Sequence, residues 1–284
     1  MAACVRWVLA LLATGCGVPT TPQLVFPTLD PDETYNIRIS NLRTTLARAD
    51  IALRVAGMDD DFGTSGCDDF WDGSKCARCK LAGEHTRIDG EVIDATTRAF
   101  RMYPTDVLVR AKIEKVAFCS EIAYSKDDGF EHPAGMADIH GGGMLISVKS
   151  FVGGLYKSWG DFTMDDITHH EYFHMLEWAQ MRGDFQDDPE WRLNNPLGFV
   201  YAESNFQEPR RAGFVNPYAM TAEVEDKAST YEFLISHPNE LCEMARTDEA
   251  LKIKTRIIWR RVLKTVGTDA FIRQAAPCVD WLDV

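Results

Sequence analysis

Five consecutive residues, His170-Glu171-Tyr172-Phe173-His174, carry the residue types and the spacing for metal chemistry. Side chains four apart on a helix lie one turn above each other on the same face. His170 and His174 can therefore grip one divalent ion, and imidazole ligands suit Zn²⁺. Glu171 directly follows the first histidine, which sets its carboxylate beside the ion, where it can take a proton from an activated water. The competing reading is an amphipathic helix with incidental histidines. His169 points away from the pair on a helical wheel and reads as a surface or supporting residue rather than a ligand.

Such a site needs a third ligand, and two common placements are excluded. One pattern requires Gly three and His six residues after the second histidine, where this chain has Glu177 and Gln180. The other uses a Glu roughly twenty residues further on, where this chain has Leu193 and Asn194. On the residues alone, the third ligand stays open among Glu203, Glu208, Glu223, Glu225 and His237.

Residues 216–229 read NPYAMTAEVEDKAS. This segment resembles the third-ligand region of the gluzincin-type peptidases related to anthrax toxin lethal factor. It is also similar to zinc metallopeptidases found among bacterial lipoproteins, with the pattern Tyr-Ala-x-Thr-x-x-x-Glu-Asp-x-Ala-Glu. In that group the metal-binding Glu lies seven residues after a Tyr, the separation of Tyr218 and Glu225. The resemblance implies that Glu225 completes a Zn²⁺ site with His170 and His174. It makes Glu171 the general base and Tyr218 a hydrogen-bond donor to the oxyanion. Glu177, three residues beyond the second histidine, is implied as a support for a zinc-bound imidazole, and Asp226 as a weaker one. The pattern's final Glu is Ser229 here, which removes one expected supporting hydrogen bond. The implied architecture is an α+β zincin-like metallopeptidase domain, helix-rich with a small mixed sheet beside the active-site helix.

The elements that must position these residues can be sketched from periodicity. Thr163–Arg182 has helical spacing without proline, and Thr221–Ser236 and Asp248–Val266 are further helices, the last ending before Gly267. A helix near Tyr35–Ala49 has Ile37, Ile39, Leu42, Leu46 and Ala47 for an apolar face, while Val107–Phe118 fits either a strand or a short helix. Met144–Lys149 follows three glycines and alternates in character, as a strand with one wet face does. Extended peptide substrate is expected to lie along this strand by adding itself as a further strand.

The N-terminus suggests where the chain works. MAACVRWVLALLATGC resembles a bacterial lipoprotein signal: residues 1–15 would be removed and Cys16 lipidated, although Ala13 stands where Leu is usual. A plain secretory signal and a buried N-terminal element are the alternatives. Residues 16–33 hold Pro19, Pro22, Pro27 and Pro31 and read as a proline-rich tether. Residues 34–284 are then expected to form the zinc metallopeptidase domain that the resemblance implies. Six cysteines remain (Cys67, Cys76, Cys79, Cys119, Cys242 and Cys278) for up to three disulfides, with Asp59–Cys79 as a stapled loop and connectivity open.

Composition narrows the partners of this 284-residue chain. Asp and Glu outnumber Lys and Arg 43 to 30, for a net charge of −13, which disfavours nucleic acid as a ligand. At 45% hydrophobic and 26% charged residues the balance is globular. The expectation is an exported peptidase of the bacterial cell envelope, or a secreted one. It would act on peptide or protein and touch the membrane through its lipid anchor only. The alternative is an inactive zinc-binding lipoprotein that serves as a binding or scaffold module.

Overall fold

A computed structural model describes residues 31–55, 77–82, 88–126, 129–131, 133–148, 151–152, 155–156, 162–181, 185 and 187–267. The expected signal segment, Cys16, most of the tether, Cys67, Cys76 and Cys278 lie outside the described residues. The described residues begin with α1 (Pro31–Ala47), β1 (Ala52–Arg54), β2 (Ala77–Leu81), α2 (Gly90–Met102) and α3 (Thr105–Arg110). Six strands follow: β3 (Lys115–Lys126), β4 (Gly129–Glu131), β5 (Gly135–Asp138), β6 (Gly143–Ser147), β7 (Phe151–Val152) and β8 (Leu155–Tyr156). Then come α4 (Met164–Gln180), the short α5 (Pro189–Arg192), α6 (Glu223–Ser236), α7 (Pro238–Thr247) and α8 (Glu249–Val266).

The fold is α+β and helix-rich, built on a small mixed sheet ordered β1-β3-β6-β5. β3 pairs parallel with β1 and β6, β6 pairs antiparallel with β5, and β2 and β4 add antiparallel partners along the far half of β3. Cys79 on β2 and Cys119 on β3 form a disulfide across neighbouring strands, and Cys242 is also disulfide-bonded. No helix among the described residues is long and apolar enough to cross a membrane.

The periodicity readings meet the structure unevenly. α1 starts at Pro31, earlier than expected, because proline is well tolerated in the first helical turn. Val107–Phe118 divides into the end of α3 and the start of β3, with Lys112 taking a positive φ of 52° at the junction. The strand expected at Met144–Lys149 is β6, Gly143–Ser147, and it has no wet face; Lys149 lies outside the described residues. Every residue of β6 is buried: Met144 and Ile146 join the main core, while Leu145 joins Ala117, Cys119 and Ile122 in a smaller cluster. Both edges of β6 are hydrogen-bonded, to β3 and β5, so a peptide cannot add alongside it.

Helix α4 starts at a capping box: Asp166 N–H donates to Thr163 Oγ1 at 3.2 Å, and Thr163 N–H donates to Asp166 Oδ2 at 2.8 Å. Its residues are then buried almost continuously through Glu177. A helix buried all round must find partners for its polar groups inside the protein, and α6 supplies many of them. The start of α6 is itself pinned by Asp226, fully buried, whose Oδ2 accepts from Trp191 Nε1, Tyr201 Oη and Lys254 Nζ at 2.8, 2.8 and 2.7 Å. Lys254 on α8 is equally buried and stacks 4.0 Å from the Phe214 ring centroid.

Asp226→Ala would leave the Lys254 charge buried without its carboxylate. A loss of about 3–5 kcal/mol in unfolding free energy is expected, read by urea denaturation. A midpoint unchanged from wild type would show that this pair does not hold α6.

Candidate metal centre

The segment His169–His174 divides between two faces of α4. Its back face enters the core. His169 is 1% exposed, with its Nδ1 2.6 Å from the Tyr103 hydroxyl, and burial pushes its pKa down to about 4. It is therefore a neutral core histidine, not a surface one. Tyr172 stacks on Tyr103 at 4.1 Å between centroids and donates its hydroxyl to Val107 O at 2.9 Å. Tyr231 of α6 donates to the Tyr103 hydroxyl at 3.2 Å and stacks on Phe173.

The front face carries His170 and His174 toward α6. Their Nε2 atoms are 3.1 Å apart. The Glu225 carboxylate, from the first turn of α6, reaches within 2.9 Å of His170 Nε2 and 3.4 Å of His174 Nε2. One ligand atom from each residue lies within 4.8 Å of the others. Burial alone would raise the Glu225 carboxyl, but the two imidazoles outweigh it and hold the group well below the usual carboxylate range. Burial works against protonated His170, yet hydrogen bonds to Glu225 and Glu232 draw its pKa above the ordinary value. Two imidazole nitrogens and a carboxylate oxygen facing one point form a donor set for a divalent cation.

Glu171 lies beside this group in a small cleft lined by Ala134, Gly135, Phe162, Ile167, Tyr218 and Glu232 among others. Burial raises its carboxyl, and the Ala137 backbone N–H on β5 donates to it. Gly135 permits the close approach of β5: a Cβ there would sit 2.6 Å from Glu171 Oε1 and 2.7 Å from Ile167 Cγ2. Tyr218 stands on a 3-10 turn whose Ala219 N–H donates to Asn216 Oδ1 at 2.8 Å, and its ring centroid is 5.7 Å from that of His170.

Of the five candidates for a third ligand, the structure brings Glu225 to the histidines. Glu203 and Glu208 are exposed. Glu223 accepts from Asp188 N–H at 2.8 Å and pairs with Arg192 at 3.2 Å, and His237 sits beside Asp166. Glu177 is buried against Lys227, with Nζ to Oε1 2.6 Å, and lies within electrostatic reach of His174. Asp226 serves the α6–α8 contact described above.

One functional residue was missed by the sequence reading. Glu232 Oε2 lies 3.1 Å from His170 Nδ1, on the ring nitrogen opposite Glu225. Burial pushes this carboxyl up to about 7, opposed by its hydrogen bond to His170. Ser229, where the resemblance expects a supporting carboxylate, is buried, and a carboxylate arrives from the next turn of the same helix instead. Its signal was available: Glu232 is seven residues, about two turns, after Glu225, and so shares its face.

No protein-family model matches the chain, and no curated protein does so either. Among solved structures, the chain is similar to a "putative zinc-binding metallo-peptidase" from Bacteroides caccae, with 12% identity and a TM-score of 0.37, covering 87% of this chain and 98% of that one.

Gly135→Ala should push β5 away from Glu171. An overpacking loss of about 1–3 kcal/mol is expected in denaturant unfolding, and a crystal structure of the variant should show the Glu171 side chain displaced. Unchanged stability with Glu171 in place would contradict the close approach.

Proposed function

We propose that the chain is a zinc-dependent peptidase of gluzincin type, with His170, His174 and Glu225 as ligands. The observation that carries this reading is the convergence of their three donor atoms within 4.8 Å in a buried seam beside a carboxylate and a cleft. The donor set fits zinc in number and type: two imidazoles and one carboxylate, which leave a position for water. Bound there, the ion would supply a Lewis acid and lower the pKa of water.

The chain's own residues do the rest. Glu171, directly after the first ligand and open to the cleft, accepts a proton from the attacking water and returns it to the leaving amine. Tyr218, on the same cleft, donates a hydrogen bond to the oxygen of the attacked carbonyl as charge develops on it. Glu232 holds the His170 ring by its far nitrogen. Glu177 and Lys227 clamp α4 to α6 one turn beyond His174. The substrate class is peptide or protein, and β5 is the element for it to run along, since Ala134 and Gly135 line the cleft and β5 ends the strand order on that side among the described residues.

Export to the bacterial cell envelope is part of the same proposal, with residues 1–15 as signal, Cys16 as lipid anchor and residues 16–33 as tether. The disulfide between Cys79 and Cys119 supports an oxidising compartment.

Glu171→Gln and His174→Ala test the reading together. Wild type should bind zinc and cleave members of a peptide library. Glu171→Gln should retain zinc while cleavage falls at least about 100-fold, the scale of a lost general base. His174→Ala should lose both. If Glu171→Gln cleaves as wild type does, the assignment of the base fails. If wild type binds zinc and cleaves nothing, the inactive binding module replaces the peptidase.

A further inference from the structure

A second cluster of metal-ligating side chains lies behind the first. Asp166 near the start of α4, Glu232 on α6 and His237 at the corner between α6 and α7 each offer one ligand atom, all within 4.8 Å of one another. Both carboxylates are 1% exposed. The histidine side chain is 35% exposed and gives solvent a route in.

The oxygens of the two carboxylates divide in the same way. Asp166 Oδ2 is taken up by the helix cap, accepting from Thr163 N–H at 2.8 Å. Glu232 Oε2 is taken up by His170 Nδ1 at 3.1 Å. On each carboxylate the other oxygen faces the cluster: Glu232 Oε1 has no hydrogen-bond donor, while Asp166 Oδ1 pairs with His237 Nε2 at 2.9 Å. Among the described residues no lysine or arginine pairs with either carboxylate. A buried carboxylate oxygen without a donor is destabilising, and a cation held between Glu232 Oε1, Asp166 and His237 would meet it.

We propose that Asp166, Glu232 and His237 form a second divalent-cation site. With both carboxylates ionised and the imidazole neutral, as metal ligation requires, the set carries charge −2, which balances a divalent ion. One nitrogen and two oxygens, with water from the His237 side as a fourth ligand, match Zn²⁺ among the divalent ions. The site is structural. It ties the first turn of α4 to the end of α6, the two helices that supply the donors of the first centre. Glu232 belongs to both: one oxygen holds His170 and the other turns to the second ion. The cation therefore fixes the carboxylate that orients the first histidine.

The test is zinc stoichiometry on the full chain, stripped with chelator and titrated with ZnCl₂ by calorimetry, with elemental analysis of the dialysed protein. Two equivalents per chain are expected. His237→Gln should bind one, His174→Gln should bind one, and the double variant none. One equivalent in wild type that survives His237→Gln overturns the second site and leaves the peptidase reading intact. One equivalent lost in His237→Gln but kept in His174→Gln supports the second site and removes the first. Zero in wild type overturns both. If His237→Gln does not fold by circular dichroism, Asp166→Asn replaces it, since asparagine keeps an acceptor for Thr163 N–H while removing the charge, and the wild-type count decides independently.

Discussion

The structure depends on the burial of ionisable groups in the seam between α4 and α6. Charged side chains leave water only when partners meet them inside the protein. Here His170, His174, Glu225 and Glu232 are matched across two helices at 2.9 to 3.4 Å. Such an arrangement is costly to desolvate and weak as a source of stability. Its retention in a buried seam is better explained by what the groups do together than by what they contribute to folding.

Everything around the seam limits its freedom. On the back of α4, the Tyr103, His169, Tyr172 and Tyr231 network fixes the rotation of the helix about its axis. A rotation that exposed His169 would also carry His170 and His174 away from Glu225. The Glu177–Lys227 contact fixes the spacing of the two helices just past the ligands. Asp226, adjacent to Glu225, anchors α6 to α8 through Lys254. Consecutive residues on α6 thus face opposite duties: Glu225 turns to the histidines and Asp226 to the core behind. β5 closes the remaining side, and a glycine at 135 lets its backbone come against Glu171.

Much of this was legible in the sequence, for definite reasons. Ligand spacing on one helix is a local property, so His170, Glu171 and His174 could be read directly from an i, i+4 pattern. Glu225 could be singled out from its rivals only through resemblance, because its approach to the histidines is a tertiary contact over 55 residues. The α+β class followed from helical periodicity, but α2 and α7 went unread, although both carry the amphipathic spacing of a helix. The surface alternative for His169 failed because a helical wheel assumes one wet face, whereas α4 is buried on nearly all sides. The alternation in β6 misled for the same reason: its second face looks into another apolar cluster. The pairing of Cys79 with Cys119 depends on β2 folding back on β3, which no spacing of cysteines encodes.

The most direct measurement is an anomalous difference map at the zinc edge, from crystals of the full chain grown with zinc. The account predicts a peak bounded by His170 Nε2, His174 Nε2 and the Glu225 carboxylate, lost in His174→Ala. No peak between these residues, with the protein otherwise folded as described, would contradict it.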